Sequence, residues 1–199
     1  DCTVAMAEYL AGSEEAFAQK MNMLAKKIGA ENTQFRNPNG LDSEGHFTTA
    51  ADLAKIAGYA MKNSQFREIV SSRIYKAEFI RKSGEKKELE YINHNRLLRE
   101  YDGCVGVKTG FTKKCGRCLV SSALRNGVRL IAVTLNAPDD WNDHMKMLDY
   151  GFSITANKTV VKKNEVIKKA FVKNGTKNSV GLVAIEDISL PMLESDNEE

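Results

Sequence analysis

The chain has 199 residues, 42% of them hydrophobic and 28% charged, which suffices for one well-buried core and part of a second domain. The net charge of +3 is small and evenly spread, and no basic stripe with interleaved aromatics occurs, so composition argues against a nucleic-acid partner. The longest apolar runs, such as Leu130 to Val133, fall far below membrane-spanning length; with no signal-peptide pattern at Asp1, the chain reads as a mature, processed or excised piece.

Residues 3 to 11 are predicted as a short helix with Val4, Ala7, Leu10 and Ala11 on one face. Ser13 is placed to cap a second helix, in which Phe17, Met21, Leu24, Ala25 and Ile28 recur at helical spacing until Gly29 ends it. Ala30 to Thr48, rich in Asn, Gly and Asp, reads as a loop of successive turns whose length suggests a functional rim, with His46 an exposed loop histidine. Thr49 is expected to cap a helix with Leu53, Ile56, Ala57, Ala60 and Met61 on its buried stripe, and Ser64 another that runs to about Ser71. Arg73 to Ile80 and Glu88 to Ile92 alternate as strands, placing Tyr75, Ala77, Phe79, Leu89 and Tyr91 on one face, with a charged turn between them. Asn93 to Leu98 reads as a polar turn anchored by two leucines.

Val105-Gly106-Val107-Lys108-Thr109-Gly110 follows, an apolar strand that delivers a cation, a hydroxyl and a bare backbone position to one rim of a sheet. That order suits capture of a carboxylate: Lys108 supplies compact positive charge, Thr109 an adjustable donor, and Gly110 room for an extended peptide along the strand edge. Two further runs, Gly116 to Arg125 and Val128 to Leu135, flank Asn126-Gly127, a strong hairpin signal. Both faces of this hairpin are apolar, so helices are expected on both sides. One cover is a helix from Pro138-Asp139-Asp140 with Trp141, Met145, Leu148 and Phe152 in line, leaving Asp143 and His144 solvated. Beyond Gly151, short strand-like runs with basic turns read as a small β domain, and Glu194 to Glu199 as a solvated acidic end.

The four cysteines are Cys2, Cys104, Cys115 and Cys118. Cys104, Cys115 and Cys118 with His94 have the donor types of a Cys3His zinc site, but the spacings fit no ribbon or knuckle. Packed thiols are the preferred reading. A thioredoxin-like role is disfavoured because its Cys-x-x-Cys opens a helix.

With Lys108-Thr109-Gly110 ahead of an antiparallel hairpin and a covering helix, the sequence resembles the penicillin-binding proteins and serine β-lactamases. Within them it is similar to the low-molecular-mass D-alanyl-D-alanine carboxypeptidases. Phe35-Arg36-Asn37-Pro38-Asn39-Gly40-Leu41-Asp42, Thr48-Thr49-Ala50-Ala51-Asp52-Leu53-Ala54 and Val105 to Thr112 resemble family signatures in the expected order. The resemblance implies an α+β fold: an antiparallel sheet covered by helices on both faces in residues 1–152, the C-terminal portion of a transpeptidase-like catalytic domain, then the start of a small β-rich domain in 153–199. It also implies an acyl-enzyme mechanism that removes the terminal D-alanine from peptidoglycan stem peptides. Lys108 and Thr109 would be catalytic, and Lys108, Thr109, Gly110 and Phe111 would bind substrate. The implied partners are stem peptides ending in D-Ala-D-Ala and β-lactam antibiotics, with no metal or organic cofactor. The implied location is extracytoplasmic, secreted or anchored to the outer face of the cytoplasmic membrane.

Family members place a Ser-x-x-Lys motif, with the nucleophile, and a Ser-x-Asn motif ahead of Lys-Thr-Gly. This chain holds neither in that position, so both are expected in a missing N-terminal portion of the same protein, and the fragment alone is expected to be inactive. Ser83-Gly84-Glu85-Lys86 has the first spacing but lies in a charged turn, and Ser195-Asp196-Asn197 has the second but sits in the acidic tail. The alternatives are a β-lactamase or transpeptidase of the same superfamily, or a non-catalytic wall-binding fragment.

Overall fold

The computed structural model describes residues 2–193 and 195. Helix α1 (Cys2–Ala11) leads into α2 (Glu14–Lys27), capped as the sequence predicts: Ser13 Oγ accepts from the Ala16 amide at 3.1 Å. α2 ends at Gly29, whose φ of +81° lies where a residue without Cβ is at ease. Its predicted stripe is only partly covered. Met21, Leu24 and Ile28 line an apolar cavity of about 590 Å³ with Phe35, Ile56 and Tyr59. The loop to Thr48 is tied by a bridge between Gln34 and Phe47. Asp52, nearly fully buried, accepts from the Asn32 amide at 2.7 Å and from Thr33 Oγ1 at 2.9 Å.

Helix α3 (Ala50–Ala60) is capped by Thr49, whose Oγ1 accepts from the Asp52 amide at 3.1 Å. The next helix, α4 (Ser64–Ser71), corrects an expectation. Its cap is Asn63, not Ser64: Asn63 Oδ1 accepts from the amides of Gln65 and Phe66, and the longer amide side chain spans that gap where a seryl oxygen one residue on lies inside the helix. Strands β1 (Ile74–Ile80) and β2 (Lys86–Ile92) pair antiparallel with Tyr75 opposite Tyr91 and Ala77 opposite Leu89, the shared face read from the alternation. The short α5 (Leu97–Glu100) buries Leu97 and Leu98 completely.

A three-stranded antiparallel sheet follows, in the order β3 (Cys104–Thr112), β4 (Gly116–Arg125), β5 (Val128–Thr134). Asn126 and Gly127 have φ of 50° and 79°, the paired positive values of a tight hairpin turn. Helix α6 (Asp140–Ile154) covers one face through His144, which touches Ser121 of β4 and Thr134 of β5. Ile131, three residues from Thr134 and so on the opposite face, lies against Gly58 of α3. Helices therefore cover both faces, and the α+β class expected from sequence holds.

The chain divides into two compact units, Asp1–Ala123 with Leu130–Leu148, and Leu124–Arg129 with Asp149–Glu199. The second is β-rich: β6 (Thr155–Val161) pairs with β9 (Ile188–Leu193), and β7 (Val166–Phe171) with β8 (Ser179–Val183). Within it Arg125 stacks 4.8 Å from the Phe152 ring and reaches Asp149 at 3.7 Å. Among the described residues no helix is long and apolar enough to cross a membrane.

Candidate active site

Strand β3 is held firmly at its start and lies open at its end. Gly106 has φ +149°, and a Cβ placed there would meet Val70 Cγ2 of α4 at 2.8 Å, so this close strand–helix approach needs glycine. Asn93 reinforces the contact by donating to the carbonyls of Ser72 at 3.0 Å and Val70 at 3.5 Å. Leu97, Leu98 and Val107 are buried. From Lys108 onward the strand emerges: Lys108, Gly110 and Phe111 are exposed and Thr109 is half-buried. β4 pairs along one side of β3, and among the described residues no strand pairs with the other edge.

That open end lines a cavity of about 690 Å³. Lys108, Thr109, Gly110, Phe111 and Thr112 form one wall, Asn39, Gly40 and Leu41 of the loop another, and His94, Arg117, Asp140 and Trp141 complete it. The four residues singled out from sequence are thus brought together on one groove. Lys108 Nζ donates to the carbonyl of Thr109, and among the described residues no carboxylate pairs with this amine. Its charge is therefore available to an anion in the groove, beside the Thr109 hydroxyl.

The loop wall is internally braced. Asn37 donates to the Leu41 carbonyl at 2.9 Å and accepts from the Gly40 amide at 2.8 Å, while Asn39 accepts from the Leu41 amide at 3.0 Å. Asp42 fastens it to the β3–β4 turn, accepting from Cys115 Sγ at 3.0 Å and Thr112 Oγ1 at 3.1 Å. The Cys115 bond, helped by Thr112 and Lys114, holds the Asp42 carboxyl below its ordinary range against a smaller effect of burial. The same bond raises the Cys115 thiol.

Three groove residues carried no sequence signal as site residues. Arg117 packs 5.5 Å from the ring centroid of Trp141, on which Arg96 also packs at 5.8 Å. Arg117 Nε donates to Asp140 Oδ1 at 3.1 Å, with Nη2 3.0 Å from the same oxygen, and Asp140 is 2% exposed. Only the helical stripe hinted at Trp141. The pairing of Arg117 with Asp140 spans 23 residues and has no local pattern.

Several expectations need correcting. His144 is fully buried rather than solvated, with Nδ1 2.6 Å from Ser121 Oγ and Nε2 3.0 Å from Thr134 Oγ1. Two hydroxyls from neighbouring strands satisfy the neutral ring, so burial lowers its pKa to about 4 despite the carboxylates of Asp140 and Asp143. His46 is half-buried, edge-on to Phe35 at 5.8 Å, and desolvation lowers its pKa against the pull of Asp42. The cysteines are not packed: Cys2 and Cys115 are exposed, and Cys104 and Cys118 half-buried, because the turn and the strand rim offer them little cover. Among the described residues no three His, Cys, Asp or Glu side chains gather as metal ligands. Ser83 lies in the turn between β1 and β2, while Asp196 and Asn197 of the other decoy lie outside the described residues. The acidic end falls largely outside them too.

Residues 1–139 match the family model described as D-alanyl-D-alanine carboxypeptidase. The chain belongs to that family. Residues 156–199 match the model of the C-terminal domain of penicillin-binding protein 5. Among carboxypeptidase relatives, DacF of Bacillus subtilis is 39% identical over 193 residues, covering 96% of this chain and 49% of the relative. The chain spans about half the length of the curated carboxypeptidases it matches. Solved structures are similar as well. Penicillin-binding protein 5 of Haemophilus influenzae has a TM-score of 0.73 at 28% identity, with 98% of this chain and 56% of that one covered. The DD-transpeptidase of Streptomyces K15 has a TM-score of 0.67 at 37% identity, with 70% and 55% covered.

Proposed function

We propose that this chain carries the carboxylate-gripping part of a serine-type D-Ala-D-Ala carboxypeptidase, which removes the terminal D-alanine from peptidoglycan stem peptides. The observation that carries the reading is the Lys108 amine, which pairs with no carboxylate among the described residues, beside the Thr109 hydroxyl on the edge of β3 where a groove runs past. A stem peptide lies along that edge as an added strand. Lys108 and Thr109 hold its terminal carboxylate through charge-assisted hydrogen bonds.

The nucleophilic serine and its lysine come, in this reading, from the part of the relatives' length that this chain does not span, so the 199 residues alone do not turn over substrate. The serine attacks the amide between the last two D-alanines, D-alanine leaves, and water hydrolyses the acyl-enzyme, dividing one hard step into two easier ones. A backbone N–H near Gly110 or Phe111 donates to the tetrahedral oxyanion. The charge of Lys108 favours ionisation of the attacking hydroxyl. Residues 1–152 then belong to the catalytic domain and 153–199 to a separate small β domain. The substrate's chemistry puts the protein outside the cytoplasm, secreted or held at the outer face of the membrane, where β-lactams also reach it.

The likeness to a DD-transpeptidase supports a second reading, in which an amine rather than water takes the acyl group. The match of residues 156–199 to a C-terminal domain of a penicillin-binding protein supports the first. Comparing D-alanine release from a pentapeptide with transfer to an added amine separates them. The shared core is tested by Lys108→Ala in the complete protein. Labelling by a fluorescent penicillin should slow by roughly 10²–10³-fold, the size expected for losing one preorganised charged donor, with melting unchanged. An unaltered labelling rate contradicts the assignment.

A further inference from the structure

The cysteines take no part in the proposed reaction, yet two of them line a neighbouring cavity that shares Gly40, Gly110, Phe111 and Thr112 with the groove. Cys115 is exposed in the β3–β4 turn, and Cys118 lies on β4 directly opposite Gly110. Cys118 Sγ folds back to 3.8 Å from the Cys115 carbonyl oxygen, so its sulfur lies toward Cys115 at the same hairpin end. Cys115 Sγ donates to Asp42 at 3.0 Å, one of the two side-chain bonds that fasten Asp42 to the turn. Asp42 closes the loop whose Asn39, Gly40 and Leu41 line the groove with Lys108. The other two thiols are placed differently: Cys104 is half-buried and donates to the Gly106 carbonyl at 3.4 Å, and Cys2 lies on α1.

We propose that Cys115 and Cys118 form a reversible dithiol–disulfide site that exchanges with an external small disulfide, and that its closure loosens the attachment of the groove-lining loop to the hairpin. The Cys115 thiolate, its proton lost to solvent, attacks one sulfur of the external disulfide and expels the other as a thiolate. Cys118, also deprotonated, then attacks the Cys115 sulfur of the mixed disulfide and expels the second external thiolate. Two cysteine thiols give up two electrons and two protons, and the external disulfide becomes two thiols. Closure requires the Cys115 side chain to swing from Asp42 toward Cys118, and a sulfur in a disulfide has no proton to donate. Asp42 keeps only Thr112, so the loop loses one of its two ties to the turn.

The carboxylate beside Cys115 opposes formation of the thiolate, so exchange is slow while Asp42 is in place. Asp42→Asn should therefore speed closure, an effect that a purely structural aspartate would not produce.

The test uses the complete protein equilibrated with mixtures of reduced and oxidised glutathione, alkylated, digested and mapped by mass spectrometry. The expected product is a peptide linking Cys115 to Cys118, with amides 40–42 exchanging hydrogen about three to ten times faster in the oxidised form, the size of one lost exposed hydrogen bond. Cys115→Ser keeps a donor for Asp42 and cannot close, so its loop exchange should not respond to oxidant. Glutathione that stays on Cys115 without closure overturns the proposal. So does linkage to Cys2 or Cys104, unchanged exchange at 40–42 after closure, or a redox response in Cys115→Ser. The consequence for the groove rests on the carboxypeptidase reading: penicillin labelling should fall by about the same factor on oxidation. If closure and loosening occur while neither form is ever acylated, the functional reading fails and the dithiol site stands.

Discussion

Two sets of polar groups on the β3–β4 hairpin solve opposite problems. Against α6, Ser121, His144, Thr134 and Asp140 turn polar groups away from solvent, and each is matched by a partner. On the Lys108 rim, polar groups stand at the surface, and among the described residues the amine meets a backbone carbonyl of its own strand and no carboxylate. The contrast teaches where rigidity and availability come from. Buried, mutually satisfied groups fix α6 and with it Trp141 and Asp140 at the groove, whereas the rim keeps its charge for a ligand. The buried cluster should therefore respond in stability and the rim in binding and rate.

The largest stability effect should come from acid. The folded-state pKa of His144, about 4, lies below its ordinary 6.5, so the native state favours the neutral ring. Its stabilisation is complete above pH 6.5 and is lost as pH falls through 4, with a span on the order of 3 kcal/mol. Denaturant unfolding of wild type and His144→Gln between pH 7 and pH 4 measures it, and the variant should show a shallower loss over that window. Equal slopes would mean that His144 does not titrate as a buried group.

Somewhat smaller is the effect of Asp140→Ala, which removes the carboxylate that Arg117 grips under Trp141. Because Arg117 is partly exposed and can rehydrate, about 2 kcal/mol of destabilisation is expected, below the range for a fully buried pair. Thermal melting checks it, and a change under about 0.5 kcal/mol would place the pair among ordinary surface ion pairs. Smallest of all should be Thr112→Val at the rim. It deletes two exposed hydrogen bonds, the one Thr112 donates to Asp42 and the one it accepts from the Cys115 amide, and should cost at most about 1 kcal/mol globally, while hydrogen exchange in the Asn37–Asp42 loop rises. If Thr112→Val destabilised the fold as much as Asp140→Ala, the division between a fixed cluster and an available rim would be lost.

What could be read from the chain depended on whether the cause was local. Asn126-Gly127 announced its turn, Ser13 and Thr49 their caps, and the Val-Gly-Val-Lys-Thr-Gly run its place ahead of a hairpin, because each acts within a few residues. Asn63 was missed because either of two adjacent polar residues can cap, and only side-chain reach decides between them. His144 sits one helical turn before Leu148 and three residues after Trp141, so its position fits the stripe. Its polarity argued against burial, and the two hydroxyls that make burial favourable come from strands 23 and 10 residues away. Arg117 with Asp140, and His94 with Trp141, meet at the groove only through the tertiary fold. The open apolar cavity beside α2 likewise could not be inferred from a helical stripe that looks fit for burial.

The claim that matters most is that the Lys108 amine recognises a free carboxylate. In the complete protein, D-alanine release from a peptide ending in D-Ala-D-Ala can be compared with release from the same peptide carrying a terminal amide. Wild type should favour the acid by at least about 100-fold, and Lys108→Ala should lose most of that preference by slowing the acid alone. A Lys108→Ala variant that still preferred the acid as strongly as wild type would contradict the account.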